Sequence, residues 1–183
     1  MKLNEAFSLK GKVALITGAS KGIGEAIARY FAASGAAVVI NSRKQEELDK
    51  VAASIQETGG ICTGIAGNAG DIEACKILVQ KTVEIYGGID ILVNNAASNP
   101  VYGPVVTSEE WAFDKIMNVN VKAPFELGKL VYPIMKERGG GSVINISSIA
   151  GITPDPGLGL YSVSKAALNL SLIHISEPTR QAE

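Results

Sequence analysis

Short apolar segments alternate with amphipathic ones along most of this chain of 183 residues, and glycines often stand at the junctions. A short apolar run between turn residues predicts a buried strand, and apolar residues at every third or fourth position predict a helix. Strands that alternate with helices favour a parallel sheet covered by helices on both faces. We therefore predict an α/β fold with a doubly wound parallel sheet, whose ligands bind at the carboxyl ends of the strands.

The predicted elements follow this alternation from residue 13 onward. The predicted strands are Val13–Ile16, Ala37–Ile40, Ile61–Ala66, Ile89–Val93 and Ser142–Ile146. The predicted helices are Ile23–Ser34, Gln45–Glu57, Ile72–Tyr86, a helical region with Ser108 as its N-cap, Asn118–Arg138, and a last helix from Tyr161. No linker interrupts the pattern before about Leu170, so one domain is predicted over residues 1–169.

Composition argues against several classes of function. The formal charge is −1, without the basic stripe of a nucleic-acid-binding protein. No apolar run reaches the length of a membrane span, and Met1–Lys12 lacks the apolar core of a secretory signal. Cys62 and Cys75 lack the spacing of a metal or redox site, so they are expected to be reduced, structural thiols. We expect a cytoplasmic protein with no metal, nucleic-acid or membrane partner.

Three glycines follow the first predicted strand with the spacing G-x-x-x-G-x-G. Gly18, Gly22 and Gly24 let the backbone turn tightly and approach a pyrophosphate without a Cβ clash. The helix that follows offers its free N–H groups and the positive end of its dipole to the phosphates. The turn therefore predicts a nucleotide site. The same segment also contains Ser20, Lys21 and Ile23.

A tyrosine and a lysine stand four residues apart near the end of the pattern. Tyr161 and Lys165 share one face of the predicted last helix, where a lysine ammonium stabilises the phenolate form of a tyrosine. Such a tyrosine gives or takes a proton near neutral pH. Alone, this spacing usually marks two surface residues, but here Ser148 lies thirteen residues upstream of the tyrosine, after an apolar run.

Together these segments resemble the short-chain dehydrogenase/reductase family, whose members move a hydride between a nicotinamide cofactor and an alcohol or carbonyl. The resemblance covers roughly residues 7–169 and implies a Rossmann fold and a carbonyl reductase-like or 3-oxoacyl reductase-like enzyme with a small-molecule substrate. It implies that Ser148 polarises the substrate oxygen and that Tyr161 transfers the proton. Lys165 then serves both the tyrosine and the nicotinamide ribose.

The resemblance also implies roles for several asparagines. Asn120 matches the family's active-site asparagine, which bends the helix and holds a water linked to the lysine; the alternative is a helix-interior asparagine bonded to a backbone carbonyl. Asn94 and Ala96 lie in a segment similar to the family's N-N-A-G turn beside the cofactor, although a plain strand-end turn explains Asn94 alone equally well. Asn68 stands where the family commonly has an adenine-contacting aspartate, and its amide can still hydrogen-bond.

The end of the second strand bears on the choice between NAD(H) and NADP(H). An NAD site usually has an acid there that accepts the ribose hydroxyls, but this chain has Ser42 and Arg43. Arg43 and Lys21 are suited to a 2′-phosphate, because guanidinium and phosphate pair strongly. The alternative is that both bases are solvated surface residues. The expected cofactor is NADP(H).

The family pattern is lost after about Asn169. Residues 170–180 resemble the translation of a sequencing-library transposon end, and residues 181–183 fit an index that follows it. We interpret residues 170–183 as a non-native tail on a domain that is incomplete at its C-terminus. The only histidine, His174, falls in this tail and is not a catalytic candidate. Since the family's remaining part carries its usual dimer and tetramer surfaces, the parent protein is expected to be a homo-oligomer.

Two alternatives to an active reductase stay open. A non-catalytic nucleotide-binding protein would keep the cofactor site, but it would not need an intact set of Asn120, Ser148, Tyr161 and Lys165. The polypeptide as written is also expected to be an inactive fragment of an active parent. The substrate cannot be read, because the family's specificity loop lies beyond residue 169.

Overall fold

The computed structural model describes residues 7–176, with side chains to residue 171. Within this range five strands form one parallel sheet in the order β3-β2-β1-β4-β5. The strands are β1 (Val13–Thr17), β2 (Ala37–Ser42), β3 (Ile61–Ala66), β4 (Ile91–Asn94) and β5 (Ser142–Asn145). The helices of the same range are α1 (Gly22–Ala33), α2 (Gln45–Glu57), α3 (Ile72–Tyr86), α4 (Glu110–Met117), α5 (Ala123–Glu137) and α6 (Gly159–Ser176). The predicted Rossmann α/β fold is confirmed.

Each face of the sheet has its own apolar core, because successive side chains of a strand point to opposite faces. Ile16 of β1 belongs to one cluster, with side chains of α1 and α2. Its neighbour Leu15 belongs to the other cluster, with side chains of α3 and α5. All five residues of β1 are buried, as expected for the central strand of a sheet covered on both sides.

The buried carboxylate of Asp90 links segments at the amino ends of the central strands through hydrogen bonds. Asp90 accepts hydrogen bonds from the Val13 backbone N–H at 2.8 Å and from the Arg138 guanidinium at 2.9 and 3.2 Å. The Lys12 ammonium lies 3.5 Å away. Burial opposes the charged form, but the hydrogen bonds from Arg138 and Val13 outweigh it and hold the pKa of Asp90 below its ordinary value.

Several predicted boundaries differ from those of the structure; β4, for example, begins at Ile91 rather than at Ile89. Ser108 does not cap a helix: its N–H bonds the Val105 carbonyl and closes a 3₁₀ turn, and α4 begins two residues later. The long helix predicted over Asn118–Arg138 begins instead with a π-helical turn, Asn118–Lys122, before α5. The last helix begins at Gly159 rather than at Tyr161. The tail predicted at residues 170–183 lies mostly outside the described residues.

Candidate active site

The glycine-rich turn connects β1 to α1 at the carboxyl end of the sheet. Gly18 and Gly22 have φ of +65° and +63°, in the left-handed region that favours glycine. At Gly24 a Cβ would lie 2.5 Å from the Asn95 amide nitrogen and 2.6 Å from the Gly18 carbonyl oxygen. A side chain would therefore be strained at Gly18 and Gly22 and would clash at Gly24.

The amino end of α1 is open to a ligand. Lys21 stands at the N-cap position, and its side chain makes no capping hydrogen bond. Lys21, Gly22 and Ile23 are exposed, whereas Ser20 is half-buried. A helix terminus with N–H groups free of a side-chain cap suits an anion such as a phosphate.

The turn after β4 holds the glycine-rich turn in place. The Asn95 amide donates to the carbonyls of Thr17 and Gly18 at 3.0 and 2.9 Å. The Thr17 hydroxyl accepts from the backbone N–H groups of Asn95 and Ala96, both at 3.1 Å. Ala96 thus borders the glycine turn, and its contact with a cofactor stays a prediction. Thr17 and Asn95 carry no local pattern that identifies them as part of the site, because their contacts join segments almost 80 residues apart.

Asn94 serves the sheet in this structure. Its buried amide donates to the Asn145 side-chain oxygen at 2.8 Å, so it links β4 to β5. This contact agrees with the strand-end interpretation of Asn94. A contact between Asn94 and a cofactor stays a prediction.

The segments after β2 and β3 present polar groups on the same side of the molecule. Ser42 is half-buried, and Arg43 and Asn68 are exposed. The Asn68 side-chain oxygen accepts the Gly70 N–H at 3.1 Å, which shapes the loop after β3. Within residues 7–176, neither Arg43 nor Lys21 forms an ion pair. Both cations are therefore available to an anionic ligand.

Lys165 is a buried cation on the helix of Tyr161. Its side chain is 2% exposed, and its ammonium donates to the Ile146 carbonyl at 2.8 Å. The ammonium lies 5.7 Å from the centroid of the Tyr161 ring, so the two side chains share one helix face as predicted. Burial lowers the pKa of Lys165. A cation placed here favours negative charge on nearby oxygens.

Ser148 lies after β5, at the start of a turn that packs on the same helix. Its hydroxyl accepts the Ala150 N–H at 3.2 Å. A Cβ at Gly151 would lie 2.8 Å from the Lys165 carbonyl carbon, which shows how closely the turn approaches α6. The sequence-predicted Ser148, Tyr161 and Lys165 are thus carried by one turn and the helix packed against it.

Asn120 sits at the centre of the π-helical turn and is 0% exposed. Its side chain accepts the Ser98 N–H at 2.7 Å and donates to the Ser98 carbonyl and the Ser164 hydroxyl, both at 3.0 Å. The Ser164 hydroxyl in turn donates to the Tyr161 carbonyl at 2.7 Å. The helix is π-helical at Asn120, and Asn120 connects the loop after β4 to the tyrosine helix. A water held between Asn120 and the lysine stays a prediction.

The loop before Tyr161 is joined to the loop after β4. The Tyr102 hydroxyl donates to the Pro156 carbonyl at 3.0 Å, and the Gly103 N–H donates to the Gly157 carbonyl at 2.9 Å. A cavity of about 260 Å³ adjoins this contact. It is lined by Val101, Tyr102, Gly103, Thr107, Ser108, Glu109 and Trp111, and it touches none of the four catalytic candidates.

The two cysteines lie outside these segments, in β3 and α3. Cys62 and Cys75 are free and buried, and burial raises the pKa of each thiol to about 11. Among the residues that the structure describes, no three His, Cys, Asp or Glu side chains cluster as metal ligands. Over the same residues, no helix has both the length and the apolar character needed to cross a membrane.

Comparisons with known proteins give the family. A model of the short chain dehydrogenase family matches residues 12–178. Human dehydrogenase/reductase SDR family member 4 is 48% identical over 160 residues, which span 87% of this chain but only 58% of that protein.

Solved structures similar to this chain belong to the same family. A metagenomic short-chain oxidoreductase in complex with NADP has a TM-score of 0.89 at 37% identity, covering 94% of this chain and 78% of that one. A short-chain dehydrogenase from Streptomyces avermitilis has a TM-score of 0.83 at 34% identity, covering 90% of this chain and 59% of that one. The chain belongs to the short-chain dehydrogenase family.

Proposed function

We propose that this oxidoreductase-family chain carries the cofactor site and the proton-transfer site of an NADP(H)-dependent reductase that acts on a carbonyl or alcohol. The observation that carries the proposal is the buried Lys165 ammonium, which lies 5.7 Å from the Tyr161 ring centroid and has no carboxylate partner within residues 7–176. An unpaired buried cation is expensive in stability, so its presence beside a tyrosine calls for a functional reason.

The roles of the side chains follow from the chemistry of carbonyl reduction. Negative charge develops on the substrate oxygen, where hydroxyl donors stabilise it. Ser148 and Tyr161 supply these donors, and Tyr161 delivers the proton. Lys165 stabilises the tyrosine oxygen once its proton has left. Asn120 and Ser164 hold the tyrosine helix against the loop after β4.

The glycine-rich turn fits a dinucleotide. Gly22 is exposed with no protein atom near its Cβ position, and the α1 terminus is uncapped, so both features suit a close phosphate. NADP(H) would supply the hydride when bound. Arg43 and Lys21 would hold its 2′-phosphate, Ser42 and Asn68 its adenosine, and Lys165 its nicotinamide ribose.

Arg43→Ala tests the cofactor. Losing a charge-assisted pair to the 2′-phosphate costs about 1.5–3 kcal/mol, so NADPH binding should weaken roughly tenfold to a hundredfold while NADH binding stays nearly unchanged. Fluorescence titration of the whole protein measures both, and Lys50→Ala on α2 is the control for a lost exposed cation. Equal losses for NADPH and NADH would refute the assignment.

The remaining parts of the proposal concern the whole protein. From their similarity to a translated library end, we propose that residues 170–183 are foreign to a partial domain over residues 1–169, and that the chain as written is inactive. The whole protein is proposed to be a cytoplasmic homo-oligomer. A non-catalytic nucleotide-binding protein is the other candidate, and it would bind NADPH without turnover.

A further inference from the structure

Asn41 is a buried amide at the carboxyl end of β2. Its side chain is 1% exposed. The amide nitrogen donates to the Ile65 carbonyl at 2.9 Å and to the Gly67 carbonyl at 3.2 Å. Because both neighbours are carbonyl acceptors, the nitrogen and not the oxygen of the amide must face them. Asn41 therefore fixes the course of the chain as it leaves β3.

The main chain of Asn41 reaches a third segment. Its carbonyl accepts the Ala19 N–H of the glycine-rich turn at 3.0 Å. The next residue, Ser42, accepts the Gly67 N–H at 2.9 Å, so the two strand ends are joined twice. Asn41 thus bonds the turn after β1, stands next to the last residue of β2 and holds the loop after β3.

These three segments are the ones proposed to bind the adenosine half of the cofactor. Ala19 precedes Ser20 and Lys21, Asn41 precedes Ser42 and Arg43, and Gly67 precedes Asn68. Asn41 and Gly67 pack closely, since a Cβ at Gly67 would lie 3.3 Å from the Asn41 amide nitrogen. A small shift of Asn41 would therefore move residues on all three segments.

Asn41 also carries an unsatisfied group. Its side-chain oxygen is buried without a hydrogen-bond partner in the part of the chain that the structure describes. A buried orphan acceptor is unfavourable, and an apolar side chain of similar size would avoid it. The two hydrogen bonds of the amide nitrogen are the feature that an apolar residue cannot replace.

We propose that Asn41 is a positioning residue for the adenosine half-site: it sets the glycine-rich turn, Ser42–Arg43 and Asn68 in one arrangement without touching the cofactor. This inference rests on the proposed NADP(H) site. Preorganised segments bind more tightly because less ordering is left for the ligand to induce. Loss of Asn41 should therefore weaken adenosine-side binding and leave the proton-transfer site intact.

The test uses 2′,5′-ADP, which carries the adenosine and the 2′-phosphate but no nicotinamide. Its affinity for the whole protein is measured by calorimetry for wild type, Asn41→Leu and Asn41→Ala. The alanine variant shows whether a loss of affinity comes from a steric clash of the leucine side chain. The control is Thr82→Val on α3, which removes a buried hydroxyl bond to the Leu78 carbonyl away from the strand ends. Thermal melts and NADPH kinetics are recorded for all four proteins.

We expect both Asn41 variants to bind 2′,5′-ADP about tenfold more weakly, with a matching rise in KM for NADPH and kcat within about twofold. The control should lose thermal stability without losing affinity. Three results would overturn the proposal. They are unchanged 2′,5′-ADP affinity in the Asn41 variants, a fall in kcat as large as the rise in KM, and loss of the cooperative melt in both variants. A wild type that fails to bind 2′,5′-ADP would instead contradict the proposed NADP(H) site.

Discussion

Lys165→Met should make the whole protein more stable while it destroys activity. The wild-type ammonium is 2% exposed and has one hydrogen bond, to the Ile146 carbonyl. A buried charge costs several kcal/mol, of which a hydrogen bond from a charged donor recovers about 1.5–3 kcal/mol. Methionine has a similar length and no charge. We expect a gain of about 1 kcal/mol at pH 7, or about 2–4 °C in Tm for a domain above 150 residues.

The gain should depend on pH in a defined direction. Burial lowers the folded-state pKa of Lys165 below its ordinary value of 10.5, which applies to the unfolded chain. Between these two values the unfolded state binds more protons, so wild-type stability rises with pH. The advantage of Lys165→Met should therefore be largest near neutral pH and shrink as the pH approaches 10.5.

Urea unfolding followed by circular dichroism from neutral to alkaline pH measures the difference between variant and wild type. Lys81→Met is the control for the loss of a lysine, because Lys81 is exposed on α3. A Lys165→Met variant that is less stable than wild type at pH 7 would refute the reasoning. A stability gap that does not change with pH would refute it as well.

Three further predictions concern the proton donor, the buried carboxylate and the tail. Tyr161→Phe in the whole protein should abolish turnover in steady-state assays and leave NADPH binding unchanged in fluorescence titration; substantial residual activity would show that Tyr161 is not the acid. Asp90→Asn should cost about 2–3 kcal/mol in urea unfolding at pH 7. Because its pKa is lowered in the folded state, Asp90 stabilises above its ordinary value of 3.8 and loses this effect as the pH falls through the lowered pKa; a gap that stays constant in acid would contradict this. Replacing residues 170–183 by the natural continuation should give the cooperative melt and NADPH turnover that we expect the chain as written to lack, and turnover by the 183-residue chain alone would disprove this.

The fold could be predicted from the sequence because its determinants are local. Buried strands, amphipathic helices and glycine turns each leave a pattern within a few residues, and alternation of strands and helices leaves few topologies. The need for glycine at Gly18, Gly22 and Gly24 is of this kind, since two of the three are set by a left-handed φ. Tyr161 and Lys165 were found for the same reason, as helix spacing alone puts them on one face.

The contacts that hold the site together could not be predicted in this way. Asn41 contacts Ile65 across 24 positions, Asn120 contacts Ser164 across 44, and Asn95 contacts Thr17 across 78. Such contacts depend on which strand ends become neighbours, which no local pattern reveals. The sequence does indicate Ser164 as a candidate, because it precedes Lys165 and lies one helical turn from Tyr161. The residues Asn118–Lys122 have no composition that distinguishes a π-helical turn from an ordinary helix, so the sequence predicts an ordinary helix there.

The two edge strands of the sheet, β3 and β5, differ in whether their outward main-chain groups are hydrogen-bonded. At β3, the outward main-chain groups are covered by glutamines of α2. The Gln45 amide accepts the Ala66 N–H at 3.0 Å and donates to the Gly64 carbonyl at 3.0 Å, as a neighbouring strand would, and Gln56 donates to the Cys62 carbonyl at 2.7 Å.

At β5, the N–H groups of Ser142 and Ile146 bond the β4 side, so Val143 and Asn145 turn their main chain outward. In the part of the chain that the structure describes, nothing bonds these groups. An open edge accepts a further strand, whereas one occupied by side-chain amides does not. We therefore expect a strand added to this sheet to pair with β5, next to Ser148 and the tyrosine helix, because glutamine amides already bond the β3 edge.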